Sequence, residues 1–414
     1  MRGSTISNSL GRLVEPYRGL GPSLWSMFGA TMINRFGDFV GFFLALFLTR
    51  VHGYEAARAG AVVSTAFAAS ALGALVSGRI ADAFGRKRCL VACQLACAAA
   101  NLAMSFFYAR AWAPWIAVAG CAFRGAARPL IGAVLTDLAP AGRRKEVFAL
   151  QYWSINVGVA FGPLVAAALF DRALAWLFRG DALCSMASAL LIARRVHAAG
   201  AAPGAGLERE DRRGALRAFL ARPILLAFAG LSLASSVTYS QTSFALPLTV
   251  SQRLGEDGPR FFGYLMSLNA ILVLALGIPV ARLLRPRSPL WCMSLSGLFF
   301  VAGFGMLAAP AGRAVLVAST VAWTAGEIVN SVNMGVFLAK HSPSNWRGSF
   351  QSFQGLFHQG GWAAGPLAAG PLLGAGEGRR GLALLWGAAA AACGLWAFGA
   401  LALERWDRRT ETEP

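Results

Sequence analysis

Charged residues are scarce in this sequence: Asp, Glu, Lys and Arg together make up 14% of its 414 residues. A soluble protein would carry about 25% charged residues, so the composition excludes an ordinary soluble enzyme or binding domain. Hydrophobic residues instead reach 56%, and the mean hydropathy is +0.54. They occur in blocks that are too long for buried strands or core helices, which predicts a polytopic membrane protein.

Acidic residues are rarer than basic residues: the sequence has 19 Asp and Glu but 38 Lys and Arg, which gives a formal net charge of +19. Such an excess raises nucleic acid as a possible partner, but the basic residues concentrate in alternate loops between the apolar blocks. That distribution is the positive-inside pattern of membrane proteins. It predicts that both termini lie in the cytoplasm, and it favours the lipid bilayer over nucleic acid as the partner.

Several catalytic signatures are also missing. The sequence contains no G-x-x-x-x-G-K-[ST] phosphate loop, no H-E-x-x-H metal motif and no serine elbow. Cys89, Cys93 and Cys97 share one helix face, but no His, Asp or Glu follows nearby on that helix to complete a set of metal ligands. We therefore expect no enzyme activity, no cofactor, no metal site and no disulfide framework.

The apolar blocks form candidate membrane spans of roughly twenty residues or more, enough to cross a bilayer at ~1.5 Å per residue. In chain order the twelve spans cover 24–49, 57–79, 88–109, 112–137, 146–170, 174–193, 222–250, 260–283, 288–309, 312–339, 348–373 and 380–403. The long hydrophilic stretch lies between the sixth and the seventh span. It predicts an N-terminal half (1–193), a cytoplasmic linker (194–221) and a C-terminal half (222–414).

The two halves share a pattern of residues that recurs at a constant offset. The matching pairs are Pro140 and Pro343, Arg144 and Arg347, Gln151 and Gln354, Gly158 and Gly361, Gly162 and Gly365, and Pro163 and Pro366. A composition rich in Ala and Gly does not by itself explain matches held in register over a whole segment. We therefore predict an all-α membrane protein with twelve transmembrane helices in two pseudo-symmetric six-helix bundles.

A short basic loop joins the second and third spans. It reads GRIADAFGRKRCL from Gly78 to Leu90. This loop resembles the signature loop of the major facilitator superfamily of transporters, whose pattern is G-x-L-A-D-R-x-G-R-K. Ile80 replaces the leucine and Ala83 replaces the first arginine, and the other named positions match. The resemblance implies the major facilitator fold, with a central cavity between the two bundles, and secondary active transport by a monomer.

The resemblance also implies a gating role for this loop. The gating loop and its candidate partners at the ends of the fourth and fifth spans are Gly78, Asp82, Gly85, Arg86, Lys87, Asp137 and Arg144. By resemblance, Asp82, Arg86 and Lys87 hold the two halves together on the cytoplasmic side when the transporter opens outward. The two glycines permit close helix contact and a tight turn. The alternative is a basic loop that only fixes topology.

The fifth span carries the motif Gly158-Val-Ala-Phe-Gly162-Pro163. Glycines four residues apart form a flat face for close helix contact, and the proline bends the helix. The motif resembles one associated with antiporters of this superfamily, particularly drug–proton exchangers. The eleventh span carries a copy made of Gly361, Gly365 and Pro366. Two interpretations therefore stay open: a helix-packing hinge and a marker of export.

Ionisable side chains inside the spans are functional candidates, because charge at bilayer depth is costly without a partner or a wet cavity. The candidates for a proton and substrate cavity are Asp38, Arg124, Arg128, Gln241, Glu327 and Asn330. The resemblance implies that helices 1, 4, 7 and 10 line the cavity, and these residues fall on those helices. Glu327 is the first candidate for the proton carrier and Asp38 the second, with Arg124 as a counter-ion or as an anchor for an anionic substrate group. Structural ion pairs, such as one between Arg35 and Asp38, are the alternative.

These features favour proton-coupled export of a small organic compound, such as a drug or a metabolite, with the proton gradient as the energy source. Proton-coupled uptake of a sugar, an amino acid or an organic anion is the alternative, which the basic pair Arg124 and Arg128 favours. His358 is interpreted either as a proton relay or as a packing residue. The excess of Arg over Lys indicates a GC-rich bacterial genome, hence the cell inner membrane.

Overall fold

The protein is built from α-helices that follow the expected spans. The computed structural model describes residues 19–140, 142–197, 212–310, 312–343, 347–375 and 379–412. Across those ranges the chain is helical or forms short turns, and it contains no β-strand. Ten helical stretches within them are long and apolar enough to cross a membrane, and one of these, Pro223–Leu284, contains two spans joined by a turn.

We number the membrane-length segments α1 to α12 in chain order. They are α1 (Pro22–Val51), α2 (Ala56–Phe84), α3 (Arg86–Phe107), α4 (Ala113–Leu138), α5 (Arg144–Phe170), α6 (Leu174–Arg195), α7 (223–254), α8 (Gly258–Leu284), α9 (Pro289–Ala308), α10 (Arg313–His341), α11 (Arg347–Gly374) and α12 (Arg379–Thr412). A short helix, Arg212–Leu220, precedes α7. The prediction of an all-α protein with twelve spans is confirmed.

Both α1 and α7 are interrupted. The parts of α1 are the α-helices Pro22–Phe36 and Phe39–Leu46 and the π-helix Phe47–Val51. The parts of α7 are the α-helices Pro223–Tyr239 and Ala245–Leu254 with the 3-10 turn Ser240–Thr242 between them. Gly37 and Asp38 form the break in α1. The corresponding residues of the repeat in α7 are Ser240 and Gln241. A broken helix is tolerated at membrane depth where it is buried in protein or lines a cavity.

Successive helices alternate in direction, so their ends gather on two faces. The linker face is the one at which α6 ends and α7 begins, and the distal face is the opposite one. Near the distal face the first six spans pack tightly against the last six. Gly60 of α2 contacts the carbonyl oxygen of Pro366 in α11. A Cβ added at Gly263 of α8 would lie 2.6 Å from the carbonyl oxygen of Pro163 in α5, so both crossings need glycine for their close approach.

Arg50, at the distal end of α1, joins the two sets of spans. Its Nε donates to the Ser251 hydroxyl over 2.8 Å, and its Nη2 donates to the carbonyl oxygen of Gly255. The carboxylate of Asp171, after α5, lies 3.7 Å from Arg50 Nη1. Burial raises the pKa of Asp171, although the nearby Arg50 and Arg260 act to lower it. Arg50 is therefore the charged clamp of the distal face.

We expect Arg50→Gln to shift the conformational equilibrium towards states that are open on the distal face. The substitution removes a charge-assisted contact to Ser251 and Gly255 in a partly exposed site, which is worth about 1–2 kcal/mol, or roughly a tenfold change in population. Electron–electron double resonance between spin labels at Glu55 and Glu256, in a cysteine-free background, measures the opening as a longer distance.

The matched control is Arg313→Gln on the same face. Arg313 pairs with Asp257 over 2.5 Å, but both side chains are 60% exposed and both belong to the last six spans. Its removal should leave the label distances unchanged. An Arg50→Gln distribution equal to that of the wild type would contradict the clamp.

Candidate functional site

A cavity of about 210 Å³ lies between the first six spans and the last six. Residues of α1, α2 and α4 build most of its wall, and α7 and α11 complete it. Its charged members are Arg35, Asp38, Arg124 and Arg128, and its aromatic members are Phe42, Phe67 and Trp362. The wall therefore combines charge with aromatic surface, which suits a small amphipathic molecule.

Arg124 is the centre of a chain of ion pairs in this wall. Its Nη1 contacts Oδ1 of Asp38, and its Nη2 lies 3.2 Å from Oδ2 of Asp181 on α6. The other oxygen of Asp38 pairs with Arg35 over 3.2 Å. The side chains of Asp38 and Arg124 are only 14% and 16% exposed. Charges so far from water are stable only because each has a close partner.

Asp181 is a buried residue of the site that the sequence analysis missed. It is 1% exposed, and its Oδ1 accepts hydrogen bonds from the Asn101 amide over 2.8 Å and from the Ser185 hydroxyl over 3.4 Å. Its Oδ2 also accepts from the Val40 backbone N–H over 3.4 Å, just after the break in α1. The available signal was a carboxylate in the middle of the sixth apolar span, which by itself marks a functional candidate.

Arg128 lies one turn after Arg124 on the same face of α4 and also lines the cavity. Among the residues that the structure describes, no carboxylate lies within ion-pair distance of its guanidinium. It is close enough to His358 of α11 to interact with it electrostatically. Arg128 thus brings an uncompensated positive charge to the side of the cavity that faces the last six spans.

Glu327 lies apart from this wall. Its Oε2 accepts a hydrogen bond from the Asn269 amide of α8 over 2.7 Å. Asn269 contacts the Thr324 hydroxyl over 3.1 Å as well. Glu327 is thus held by an uncharged partner, in contrast to Asp38 and Asp181. At the repeat position of Arg124, the last six spans therefore carry a carboxylate, for which the described residues supply no ion pair.

The other two cavity candidates occupy packing positions. Gln241 is 3% exposed, and its amide donates to the Val237 carbonyl over 2.9 Å within the break of α7. Asn330 lies one turn after Glu327 on α10, and its Oδ1 is buried without a hydrogen-bond partner in the described part of the chain. Neither residue lines the cavity described above.

His358 fixes the orientation of Trp362, which reaches the cavity. The indole N–H of Trp362 can only donate, so the 3.1 Å contact makes His358 Nε2 the acceptor. The other ring nitrogen, Nδ1, then carries the proton and donates to the Ser236 hydroxyl over 2.6 Å. The Trp362 ring in turn packs against Phe67 of α2 with centroids 5.2 Å apart. This arrangement requires neutral His358, since protonation would remove the acceptor of the indole.

The gating loop is a tight turn between α2 and α3. Gly85 adopts a φ of +90°, a conformation that other residues rarely adopt. Arg86 pairs with Asp137 of α4 over 2.5 Å, and Lys87 donates to the Ala193 carbonyl of α6 over 2.8 Å. These contacts stay within the first six spans. The side chain of Asp82 is exposed on the linker face. Gly78 and Arg144 are exposed there as well.

The two glycine motifs make equivalent helix contacts. A Cβ added at Gly158 of α5 would lie 2.6 Å from the Met32 carbonyl oxygen of α1, and one at Gly361 of α11 would lie 2.5 Å from the Leu233 carbonyl oxygen of α7. One turn later, Gly162 contacts the Phe36 carbonyl at the break of α1. The corresponding contact in the other half joins Gly365 to Ser240. Both copies thus press against the broken helices.

No three His, Cys, Asp or Glu side chains in the described ranges lie close enough together to hold a metal ion. Cys97 lies near the ion-pair chain, and Arg124 Nη2 approaches its sulfur to 3.9 Å. The cluster is therefore a set of arginines and carboxylates whose available chemistry is proton exchange and the binding of charged groups.

Comparison with known proteins agrees with this architecture. The model of the Major Facilitator Superfamily matches residues 27–366. The MFS-type transporter YqjV of Bacillus subtilis (strain 168) is 25% identical over 375 residues, covering 88% of this chain and 90% of the relative. A Na(+), Li(+), K(+)/H(+) antiporter of Planococcus maritimus is 25% identical over 343 residues, covering 74% of this chain and 79% of that protein.

The solved structures show the same fold. The crystal structure of the peptide transporter POT in complex with sulfate aligns with a TM-score of 0.77, at 17% identity, over 92% of this chain and 94% of that one. Identity at that level informs on the fold alone. With a family model that covers most of the sequence, the conclusion is direct: this chain belongs to the major facilitator superfamily, and it is a membrane transporter rather than an enzyme.

Proposed function

We propose that this transporter exports a small organic compound in exchange for protons, by alternating access. The observation that carries the proposal is the ion-pair chain of Asp38, Arg124 and Asp181 in the wall of the cavity. A carboxylate that pairs with a buried arginine loses this pair when it binds a proton. In the proposed exchange, the substrate binds the deprotonated, ion-paired form of the cavity wall. Protonation of Asp38 or Asp181 breaks the pair, changes the wall and releases the substrate, so that proton and substrate favour different states.

The proposal also concerns the conformational state of the protein, whose distal face is closed in this structure. The crossings at Gly60 and Gly263 and the Arg50 clamp join the two sets of spans there, while the described contacts of Arg86 and Lys87 stay within the first six spans. We assign this arrangement to the state open towards the linker face. In the opposite state, Asp82, Arg86 and Lys87 would hold the linker face closed, with residues 1–193 and 222–414 moving as two bodies around the linker 194–221.

Two further observations support exchange over other couplings. One relative, the Planococcus maritimus protein, is itself named an antiporter that exchanges monovalent cations for protons. The contacts of Gly162 link α5 to the break that carries Asp38, so movement of α5 against α8 would reach the ion-pair chain. Uptake of an organic anion together with protons is the second candidate. It is favoured by Arg128 in the cavity, which forms no ion pair with a described residue.

We place the transporter in the inner membrane of a bacterial cell, as a monomer with both termini in the cytoplasm. The bias of Lys and Arg towards alternate loops supports the orientation, and the bacterial relatives support the source. Its partners would be protons, a small-molecule substrate and the lipid bilayer, with no nucleic acid and no bound cofactor. The proton gradient would supply the energy.

The test uses inside-out vesicles that hold a pH gradient, read by a quenched dye, with panels of organic cations, neutral compounds and organic anions. We expect dequenching by one class of compound in the wild type. Glu327→Gln and Asp38→Asn should each lower this signal at least tenfold if the residue carries the proton, because an amide cannot exchange one. Asp257→Asn, in an exposed pair on the distal face, is the matched control and should keep the signal.

Absence of dequenching with every class would contradict proton-coupled export. Substrate-driven proton entry in right-side-out vesicles would then establish uptake. Full dequenching in both Glu327→Gln and Asp38→Asn would instead rule out these two carriers, and Asp181→Asn would be tested next.

A further inference from the structure

The charged groups of the cavity wall do not balance. Three guanidinium groups, of Arg35, Arg124 and Arg128, stand near the two carboxylates of Asp38 and Asp181 in the described part of the chain. We propose that the substrate of this cavity is an organic anion with an aromatic or similar apolar group, and that Arg128 binds its negative charge. This inference rests on the proposed function, because it names the class of substrate that the cavity of the proposed exporter would bind.

Neither carboxylate is free to bind a cationic substrate. Both oxygens of Asp38 are taken, one by Arg35 and the other by Arg124. Asp181 accepts from Asn101, Ser185 and the Val40 backbone in addition to its pair with Arg124, and it is fully enclosed. A positively charged ligand would therefore meet arginine side chains without an available anion. That situation disfavours lipophilic cations as substrates.

Arg128, by contrast, has its donors available. A guanidinium carries five N–H donors in a planar fork that matches a carboxylate or a phosphate group. No acidic side chain in the described ranges occupies that fork, and the side chain borders the cavity. Glu327 does not pair with it: the Glu327 carboxylate accepts a hydrogen bond from Asn269 and does not line this cavity.

The apolar part of the substrate has a defined surface to contact. Phe42, Phe67 and Trp362 line the same cavity as Arg128. Trp362 is held in place by its hydrogen bond to His358 and by its edge contact with Phe67. A planar group placed among these rings leaves an attached carboxylate within reach of α4, so one molecule can use both features.

Binding to the purified protein in lipid nanodiscs tests the charge requirement. The probes are naphthalene-2-carboxylate, its primary amide and the matching naphthyl trimethylammonium, and calorimetry gives their Kd values. We expect the carboxylate to bind at least tenfold more tightly than the amide, and the cation to bind least. Arg128→Gln should remove the preference for the carboxylate, whereas Arg128→Lys should retain part of it.

Arg282→Gln is the matched control, since Arg282 is exposed near the linker face and lies outside the cavity. Melting curves establish that each variant is folded. Equal Kd values for acid and amide in the wild type would overturn the proposal. So would a preference for the acid that persists in Arg128→Gln.

A second measurement reports the charge of the cavity without any substrate. Cys121 lines the cavity on the same helix as Arg128. In a variant whose other cysteines are replaced, Cys121 is labelled with a sulfonate-bearing and with a trimethylammonium-bearing methanethiosulfonate. The ratio of the sulfonate rate to the ammonium rate should exceed the ratio for free glutathione by several-fold, and Arg128→Gln should lower it. A ratio at or below that of glutathione would contradict an anion-selective cavity.

These experiments separate the substrate class from the coupling. Equilibrium binding needs no gradient, so a protein that binds the acid through Arg128 but moves no protons contradicts proton-coupled export alone. A protein that moves protons in response to cations or neutral compounds, and does not bind the acid, contradicts the anionic substrate alone.

Discussion

Replacing Arg124 by glutamine is expected to abolish transport and to destabilise the protein by about 3–5 kcal/mol, the usual cost of removing one partner of a buried ion pair. Arg124 pairs with both Asp38 and Asp181, and the latter is 1% exposed. Without the guanidinium, two carboxylates of like charge would remain close together in a region of low dielectric. One of them would have to bind a proton permanently, which removes the exchangeable site.

Charge balance can be restored independently of function. The double variant Arg124→Gln with Asp181→Asn removes one cation and one anion, and it leaves Asp38 paired with Arg35. We expect it to recover much of the lost melting temperature and none of the transport, because the arginine on which the proposed exchange depends is still absent. Arg313→Gln, in an exposed pair, should change neither quantity. A wild-type melting temperature together with wild-type transport in Arg124→Gln would contradict the ion-pair chain as the centre of the site.

The helical architecture of this protein could be predicted because its causes are local. A membrane span is an apolar run of sufficient length, and all twelve runs identified in the sequence are helices. Most of their ends differ from the prediction by a few residues, but the last helix continues from the expected 403 to Thr412. The turn at Gly85 was predictable for a similar reason, since a glycine that follows the end of one span and precedes the basic residues Arg86, Lys87 and Arg88 indicates a tight turn.

The site was predictable only in part, because its contacts are not local. Asp38 and Arg124 could be proposed as charges inside spans, but their direct contact depends on how α1 packs against α4. Asp181 lies on α6, and the whole of α5 separates it in the sequence from Arg124 on α4. Nothing near Asp181 in the sequence indicates that it contacts Arg124. Periodicity also gave no sign that α1 breaks at Gly37, although this break directs the Val40 backbone towards Asp181.

The internal repeat explains why the two halves are not equivalent chemically. Arg124 and Asp38 of the first half correspond to Glu327 and Gln241 of the second. The second half thus keeps the broken helix at Ser240–Thr242 but replaces the ion pair by an amide and a carboxylate with a neutral partner. The two halves therefore share one backbone arrangement but differ in charge. The first half can bind a charged group at its ion pair, and the second half has a separate titratable carboxylate. The proposed proton carrier therefore has two distinct candidate locations, which the variants at Asp38 and Glu327 discriminate.

Gly162→Val is expected to reduce transport at least tenfold and to destabilise the protein by about 1–3 kcal/mol or more, as overpacking of a tight contact does. The added Cβ would collide with the Phe36 carbonyl, one residue before the break in α1. To relieve the collision, α1 must move away from α5, and Asp38 moves with it. Gly132→Val on α4 is the matched control and should retain transport. A Cβ there would have no described atom within 4 Å apart from its chain neighbours and the backbone of its own helix.

Variants in the α11 copy of this motif can distinguish its two interpretations, a helix-packing hinge and a marker of export. Gly365 contacts Ser240 at the break in α7, as Gly162 contacts α1, but α7 carries no charge at the position of Asp38. If the motif is a packing hinge alone, Gly365→Val should lower the melting temperature and the transport rate as much as Gly162→Val does. If it also marks export, Gly162→Val should alter the proton dependence of transport, measured as the pH profile of vesicle efflux, while Gly365→Val should lower the rate at every pH alike. We expect the second result, because only the α5 motif rests against the helix that holds the ion-pair chain.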